Sequence, residues 1–181
     1  IRMNKTSNRN MEINANLQET LTEITDEIRS GTLLITEIKK YQSLCNAPLK
    51  GELILAIQFP AQALRASDYK PNNDKSLNLD SSFGCPIAYT LLANSDAKIE
   101  NHTLYRFGPP INEKGYYTNQ PYLTKPILYG VKERPIETID CEKNTFLKGT
   151  RGIQICIGEF GKYAEISIST EINEPGSGTS Q

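Results

Sequence analysis

The sequence has no tryptophan, a single histidine and no long hydrophobic run. A membrane-spanning helix needs about 18 or more consecutive apolar residues, and no segment of the chain approaches that length. A basic start followed by a short apolar core, the pattern of a signal peptide, is also missing. We therefore expect a soluble chain. Because it begins at Ile1 without an initiator methionine, we expect a processed or trimmed form of a longer protein.

The sequence also has no excess of charge of either sign. Its formal net charge is -1, with 38% hydrophobic and 23% charged residues, which is the balance of an ordinary globular protein. This balance predicts no nucleic-acid partner. A length of 181 residues suits one domain. We predict one globular domain over residues 11–170, a polar segment over 1–10 and a flexible Gly/Ser-rich tail over 171–181.

Recognisable catalytic motifs are missing from the sequence. A Ser-His-Asp triad would have to use His102, the only histidine, and no Gly-x-Ser-x-Gly motif accompanies it. Neither Gly-x-Gly-x-x-Gly nor the Walker A pattern occurs, which argues against nucleotide chemistry. A small secreted hydrolase would need a cleft joining His102 to a nucleophile. We interpret His102 as an exposed turn histidine and predict that the protein is not an enzyme.

The four cysteines are Cys45, Cys85, Cys141 and Cys156. No two lie at the spacing of structural zinc pairs, and an even count predicts two disulfides in an oxidising compartment. Four cysteines allow three pairings, of which we favour Cys141 with Cys156 and Cys45 with Cys85. The first would close a loop of about 15 residues and stabilise the domain by roughly 3 kcal/mol in the chain-entropy model. The alternative is four buried thiols in a cytosolic protein.

One amphipathic helix is predicted over Asn10 to Arg29, beginning between Ser7 and Met11 and ended by Gly31. Apolar residues recur there at steps of four, four, three and four, with glutamates between them. The apolar positions are Ile13, Leu17, Leu21, Ile24 and Ile28, and the glutamates are Glu12, Glu19, Glu23 and Glu27.

Alternating and apolar runs after this helix predict β-strands. The predicted fold is α+β, a disulfide-containing domain with an N-terminal amphipathic helix packed on antiparallel sheet. The predicted strands cover Thr32 to Ile38, Glu52 to Phe59, a hairpin of Pro86 to Leu92 with Thr103 to Phe107, Pro126 to Val131, and a final hairpin within Ile153 to Thr170.

A polar loop from Ala61 to Ser82 is rich in oxygen ligands. Asp68, Asp74 and Asp80 are side chains of the kind that bind calcium. Their spacing matches no EF-hand, and solvated loop carboxylates are the favoured interpretation. We predict no cofactor, with calcium at the Asp68–Asp80 loop as a weak alternative.

Three tyrosines, Tyr116, Tyr117 and Tyr122, lie near Lys114 and Lys125. Aromatic rings beside cations can stack on sugars or bases, so these tyrosines are a candidate ligand-contact loop. Packing of the loop onto the domain is the alternative, and we favour it.

Three segments carry a family resemblance. Leu17 to Arg29, ending in Asp-Glu-Ile-Arg, is similar to the post-membrane helix of the type IV pilin superfamily. Ile87 to Leu91 and Leu104 to Arg106 are similar to the paired strands that follow it. The match covers Met11 to about Pro110 and is strongest with the J-type pseudopilins of type II secretion and the W-type minor pilins. The cleavage motif and the hydrophobic half-helix of the family are absent, and residues 111–156 match nothing we can place.

This resemblance implies a structural subunit of a type IV pilus or of a type II secretion pseudopilus, in a tip or priming complex. Its partners would be other pilin or pseudopilin subunits, and the inner membrane through a further N-terminal helix. It would be located outside the cell or in the periplasm, with Glu12, Glu19 and Glu23 in a subunit interface. The alternative is a secreted adhesin or carbohydrate-binding module.

Overall fold

The computed structural model describes residues 2–59, 85–95, 101–115, 117–118, 120–134, 139–141, 145–158 and 164–170. Within these ranges it contains two helices and eight strands, and the strand pairs are all antiparallel, which confirms the α+β class. The elements are α1 (Arg2–Ser30), β1 (Leu33–Ile35), α2 (Ile38–Leu44), β2 (Glu52–Gln58), β3 (Ile87–Ala93), β4 (Asn101–Gly108), β5 (Leu123–Lys132), β6 (Thr145–Thr150), β7 (Ile153–Gly158) and β8 (Ala164–Ile168).

Helix α1 begins at Arg2, earlier than the predicted start between Ser7 and Met11. Its first turns are polar and contain neither proline nor glycine, so no residue there interrupts the helix. The predicted start was too late because it followed the apolar stripe, which does not extend into these polar turns. The helix ends as predicted, because the Gly31 amide donates to the carbonyls of Glu27 and Ile28 at 2.9 and 3.3 Å. No helix in the described ranges combines the length and apolar character needed to cross a membrane.

The strand predicted over Thr32 to Ile38 is wrong over its second half. Strand β1 is only three residues long, and the seven-residue helix α2 follows it at Ile38. Tyr41 of α2 is fully buried, and its hydroxyl lies 3.4 Å from the sulfur of Cys45 at the end of the helix. So short a helix is held by tertiary packing, which the local pattern does not show.

The first sheet contains five strands in the order β1-β2-β3-β4-β5. The predicted hairpin of β3 and β4 is confirmed, with pairing that runs from Ala88 opposite Phe107 to Ala93 opposite His102. Strand β5 pairs with β4 and begins at Leu123, three residues before the start predicted at Pro126.

The second sheet has the order β6-β7-β8. The predicted hairpin of β7 and β8 is confirmed, whereas β6 was not predicted because its six residues contain only two large apolar side chains. Backbone bonds join the two sheets: Gly152 donates to Lys132, Lys132 to Ser169, and Ser169 to Gly152, at 2.7 to 2.8 Å. The turn before β7, the end of β5 and the segment after β8 therefore meet at one junction.

The core lies on both faces of the first sheet, because neighbouring residues of each strand point to opposite sides. One apolar cluster joins Ile24 of α1 to Ile57 and Ile87 of the first sheet and to Ile153 and Ile155 of the second. The other cluster covers the opposite face, where Tyr41 of α2 is buried in the same cluster as the small side chains of Ala56 and Ala88. Its members include Tyr41, Ala56, Ala88 and Phe107.

Two disulfides cross-link the chain. Cys45 is bonded to Cys85 and Cys141 to Cys156, with Cα atoms 5.1 and 5.5 Å apart. These are the two pairs favoured from the sequence. Disulfides persist in oxidising compartments, so they indicate an extracellular or periplasmic environment.

Candidate functional site

A buried ion pair joins α1 to the first sheet. Glu27 of α1 is 4% exposed and Arg106 of β4 is 6% exposed. Arg106 donates from Nη2 to Glu27 Oε1 at 2.6 Å and from Nε to the same oxygen at 3.1 Å. Two donors on one guanidinium make the strong, oriented form of this interaction.

Helical spacing explains why Glu27 is inside. It lies three residues after Ile24 and seven after Thr20, and all three side chains are buried; residues three, four and seven apart share one face of a helix. The prediction that placed Glu27 with the polar positions between the apolar ones is therefore wrong. On β4, Arg106 is two residues after Leu104, so strand alternation points both side chains to the face covered by α1.

Two tyrosine hydroxyls complete the coordination of the Glu27 carboxylate. Tyr89 of β3 donates to its Oε2, and Tyr117 donates to its Oε1 at 3.1 Å. Arg106 in turn donates from Nη1 to the Pro109 carbonyl at 3.0 Å, and its Nε lies 3.3 Å from Glu23 Oε1. We call these five side chains, Glu23, Glu27, Tyr89, Arg106 and Tyr117, the α1 anchor.

The surroundings of the α1 anchor hold its arginine charged and its tyrosines protonated. Burial alone would lower the pKa of Arg106, but the charge and hydrogen bonds of Glu27, together with Tyr89 and Glu23, raise it above its ordinary value. Burial and the same carboxylate raise the pKa of Tyr89 and of Tyr117. Arginine thus stays charged and the phenols stay protonated over the physiological range, and their hydrogen bonds to Glu27 fasten the helix to the sheet.

The α1 anchor brings together residues from all three segments that carry the family resemblance: Glu27, Tyr89 and Arg106. Sequence reasoning did not predict this contact. The available signal was Arg106 itself, a charged residue at an inward-facing position between the apolar Leu104 and Phe107. Such a residue needs a buried partner of opposite charge.

The glutamates predicted to lie in a subunit interface do not share one environment. Glu12 and Glu19 are exposed. Glu23 is half-buried, and burial raises its pKa while Arg106 opposes that shift. Glu23 therefore takes part in the internal anchor, because it lies one turn before Glu27 on the flank of the buried face.

The tyrosines predicted as a ligand-contact loop pack into the domain. Tyr122 is buried, its hydroxyl donates to the Cys85 carbonyl at 2.9 Å, and its ring meets Phe107 edge to face. Tyr117 is half-buried, with its ring against Phe59. Tyr116 lies outside the described residues. The packing alternative therefore holds for Tyr117 and Tyr122, whose rings are not free to stack on a ligand.

His102 is buried in β4, so its interpretation as an exposed turn histidine is wrong. Its Nε2 lies 3.3 Å from Glu133 Oε2, and Glu133 also pairs with Arg151. Burial and the nearby Arg151 lower the pKa of His102, and Glu52 acts in the opposite direction. Strand alternation turns this side chain inward near the junction of the two sheets.

Metal binding finds no support within the described residues, where no group of three or more His, Cys, Asp or Glu side chains is placed to hold an ion. The loop with Asp68, Asp74 and Asp80 lies outside them.

Two surface grooves flank α1. One, of about 330 Å³, lies between α1 and β5 and includes Glu19, Lys125 and Tyr129 in its lining. The other, of about 910 Å³, lies between the end of α1 and the edges of β1 and β8. Both grooves are open clefts beside the one helix that the anchor fixes.

No protein-family model matches this chain, and no curated protein or solved structure is significantly similar to it. The function is therefore argued from the geometry together with the short resemblance in three segments.

Proposed function

We propose that this chain is the head domain of a pilin-like filament subunit, which acts by assembling with like subunits and not by catalysis. The filament would be a type IV pilus or a type II secretion pseudopilus, with this subunit in its tip or priming complex. In that role α1 would connect the head to the filament.

The proposal rests on the uneven burial of α1 along its length. At 29 residues, α1 is about 44 Å long at 1.5 Å per residue. Thr20, Ile24 and Glu27 are buried, whereas Glu12 and residues 14–16 are exposed. The head therefore covers the second half of the helix and leaves those four residues uncovered.

A helix segment that is polar around most of its circumference and has no cover is only marginally stable in water. A partner that packs along it supplies the missing contacts. Subunit assembly along α1 accounts for both the length of this helix and its exposure.

The α1 anchor supports the same proposal. Glu27 and Arg106 fix the helix against the sheet through directional, charge-assisted bonds, which specify one arrangement in a way that apolar contact alone does not. A subunit whose helix is held by neighbours needs such a rigid joint between the helix and the head. Breaking a buried ion pair is costly, so the joint resists rotation of the head.

The alternative of a carbohydrate-binding module or adhesin gains nothing from Tyr117 and Tyr122, the two described tyrosines on which it depended. Tyr122 is buried and Tyr117 packs against Phe59. We therefore propose assembly alone.

A pull-down with minor pilins or pseudopilins of the same organism tests the proposal. Glu19→Lys reverses an exposed charge on α1 and is expected to weaken capture at least about tenfold, because like charges across an interface cost several kcal/mol. Glu37→Lys, at an exposed position beside α2 on the other face of the sheet, is the matched control. Glu23 is unsuitable for this experiment because its replacement would also disturb Arg106.

Unchanged capture by the Glu19→Lys variant would contradict the proposal. A second test reads the gene ahead of the codon for Ile1. The proposal expects about 20 apolar residues there, preceded by a Gly-Phe-x-x-x-Glu processing motif. An ordinary signal peptide in that place would favour the adhesin.

A further inference from the structure

We infer that the groove between α1 and β5 receives the basic first turns of α1 from a second copy of this chain. This inference rests on the proposed function and adds to it the partner and the two surfaces in contact. Its basis is the separation of charge along α1 and the composition of the groove.

The charges of α1 are separated along its length. Residues 2–10 contain three basic and no acidic residues, and residues 11–27 contain five acidic and no basic residues. The basic residues are Arg2, Lys5 and Arg9, and the acidic ones are Glu12, Glu19, Glu23, Asp26 and Glu27. A helix of this kind repels a copy of itself that lies in register and attracts a copy that is displaced along it.

The groove offers the acidic side of this pairing. Glu19 lines it, is exposed, and forms no ion pair within the described part of the chain, and exposed Glu12 lies two turns earlier on the same helix. Glu23 already forms an ion pair with Arg106. Lys125, on the opposite wall, is the cation that an incoming basic segment must avoid.

The aromatic rim of the groove suits the same occupant. Tyr129 of β5 lines the groove and is 68% exposed. The face of a tyrosine ring attracts ammonium and guanidinium groups. A carboxylate and an open aromatic ring in one groove favour a segment that carries lysine or arginine.

The helix itself sets the displacement between copies. Arg9 and Glu19 are ten positions apart, which corresponds to about 15 Å at 1.5 Å per residue. With neighbouring helices pointing the same way, each copy would receive one neighbour and be received by another. Such head-to-tail contacts produce an open array instead of a closed dimer.

Photo-cross-linking tests the inference. The 181-residue chain is made with p-benzoylphenylalanine in place of Tyr129, mixed in equal amounts as normal and nitrogen-15-labelled protein, and irradiated at low salt. Mixed-isotope products show contacts between copies. Digestion after glutamate releases residues 1–12 as one fragment, and we expect this fragment to be the main cross-linked product. Trimers and larger species are also expected.

A matched control uses the same photoreactive residue in place of Leu44. Leu44 is 50% exposed and belongs to α2, which covers the other face of the sheet. This position is expected to give no cross-link to residues 1–12.

Charge exchange adds a second readout. Arg9→Glu and Glu19→Lys are each expected to lower the yield at least fivefold, and the double variant Arg9→Glu/Glu19→Lys is expected to restore it to within twofold. Failure of the double variant to restore the yield would overturn the inference.

The remaining outcomes are also decisive. Cross-links from position 129 to another segment, no cross-links at any salt concentration, or dimers alone would overturn the inference. So would unchanged cross-linking in an Arg9→Glu variant that loses binding to phosphatidylglycerol vesicles, because the basic residues would then serve a membrane. If any of these outcomes is found while Glu19→Lys still weakens capture of pilin partners, the inference falls and the proposed function stands.

Discussion

At the scale of single residues, Glu27 and Arg106 show how charge can be placed inside an apolar core. Each has oriented partners: two tyrosine hydroxyls and the guanidinium for Glu27, and two glutamates and a carbonyl for Arg106. A buried ion pair is often no more stable than a pair of apolar residues, but the loss of one partner leaves an uncompensated charge. The anchor therefore contributes more to the specificity of the helix position than to net stability.

Replacing Arg106 measures that dependence. We expect Arg106→Met to lower the free energy of unfolding by about 3–5 kcal/mol, because the Glu27 carboxylate remains buried without its counter-charge. Urea unfolding followed by circular dichroism provides the measurement. Arg29→Met is the control, because the pair of Arg29 with Asp26 is exposed and such pairs are worth about 0–1 kcal/mol. Equal losses in the two variants would contradict the anchor.

The burial of His102 predicts that the stability of the fold depends on pH. Its pKa is lowered in the folded state by burial and by Arg151, with Glu52 opposing, from about 6.5 in an unfolded chain. Between these two pKa values the unfolded state binds more protons, so stability is complete above pH 6.5 and declines as the pH falls below it.

The measurement compares urea midpoints of the natural chain and of His102→Gln between pH 8 and pH 5. His102 is the only histidine, so the difference between the two curves isolates its titration. We expect the urea midpoint of the natural chain to fall relative to that of the variant as the pH falls below 6.5. A difference that is constant over this range would show that His102 titrates equally in both states.

At the scale of elements, the periodic pattern was enough for some parts of the fold and not for others. The hairpin β7-β8 was predicted because its apolar residues alternate over several positions, and β3-β4 because an apolar run and a second strand segment flank a polar turn. Helix α2 and strand β6 were missed because they are short and depend on distant contacts, such as burial of Tyr41 in the core.

The candidate site followed the same division. Two disulfides were predicted from the even number of cysteines, while their pairing was one of three that the sequence allows. The α1 anchor could not be predicted, because it joins Glu27, Arg106 and Tyr117 across up to 90 positions of the chain. Which glutamate enters the core depends on how the helix is rotated on the sheet, and that rotation is set by packing.

The junction of the two sheets gives a prediction at this scale. A methyl group at Gly152 would lie 2.6 Å from the Lys132 carbonyl oxygen and 3.0 Å from that of Ser169. Gly152→Ala is therefore expected to separate the backbones at the junction and to lower the free energy of unfolding by about 1–3 kcal/mol, the usual cost of overpacking. Hydrogen exchange should accelerate at the amides of Lys132 and Ser169.

Gly149→Ala is the control for this junction. A methyl group there would meet its nearest atom, the Ile153 carbonyl oxygen, at 3.4 Å, which is ordinary contact. We expect its effect to stay within about 0.5 kcal/mol, as for most surface substitutions. Equal exchange rates at Lys132 and Ser169 in the Gly152→Ala variant and the natural chain would contradict the described junction.

At the scale of the whole molecule, the described residues of the head and of the start of α1 differ in their contacts. The head contains the apolar clusters, both disulfides and the anchor, and these features suit a domain that must stay folded in an oxidising compartment. Glu12 and residues 14–16 of α1 are exposed and lie outside this arrangement. Stability and assembly should therefore be separable by a truncation.

Removing residues 1–11 makes this separation. The described side chains that follow the cut, Glu12 and residues 14–16, are exposed, and Leu17 is the first described residue of α1 that packs against the core. Truncation is tolerated best beside exposed segments with few contacts. We expect the free energy of unfolding to change by less than about 1 kcal/mol, within the range of most surface changes. Cross-linking from position 129 should disappear, because the basic segment is gone. A loss of stability greater than about 2 kcal/mol, the scale of burying one large apolar side chain, would show instead that the head depends on these first turns, and retained cross-linking would show that another segment fills the groove.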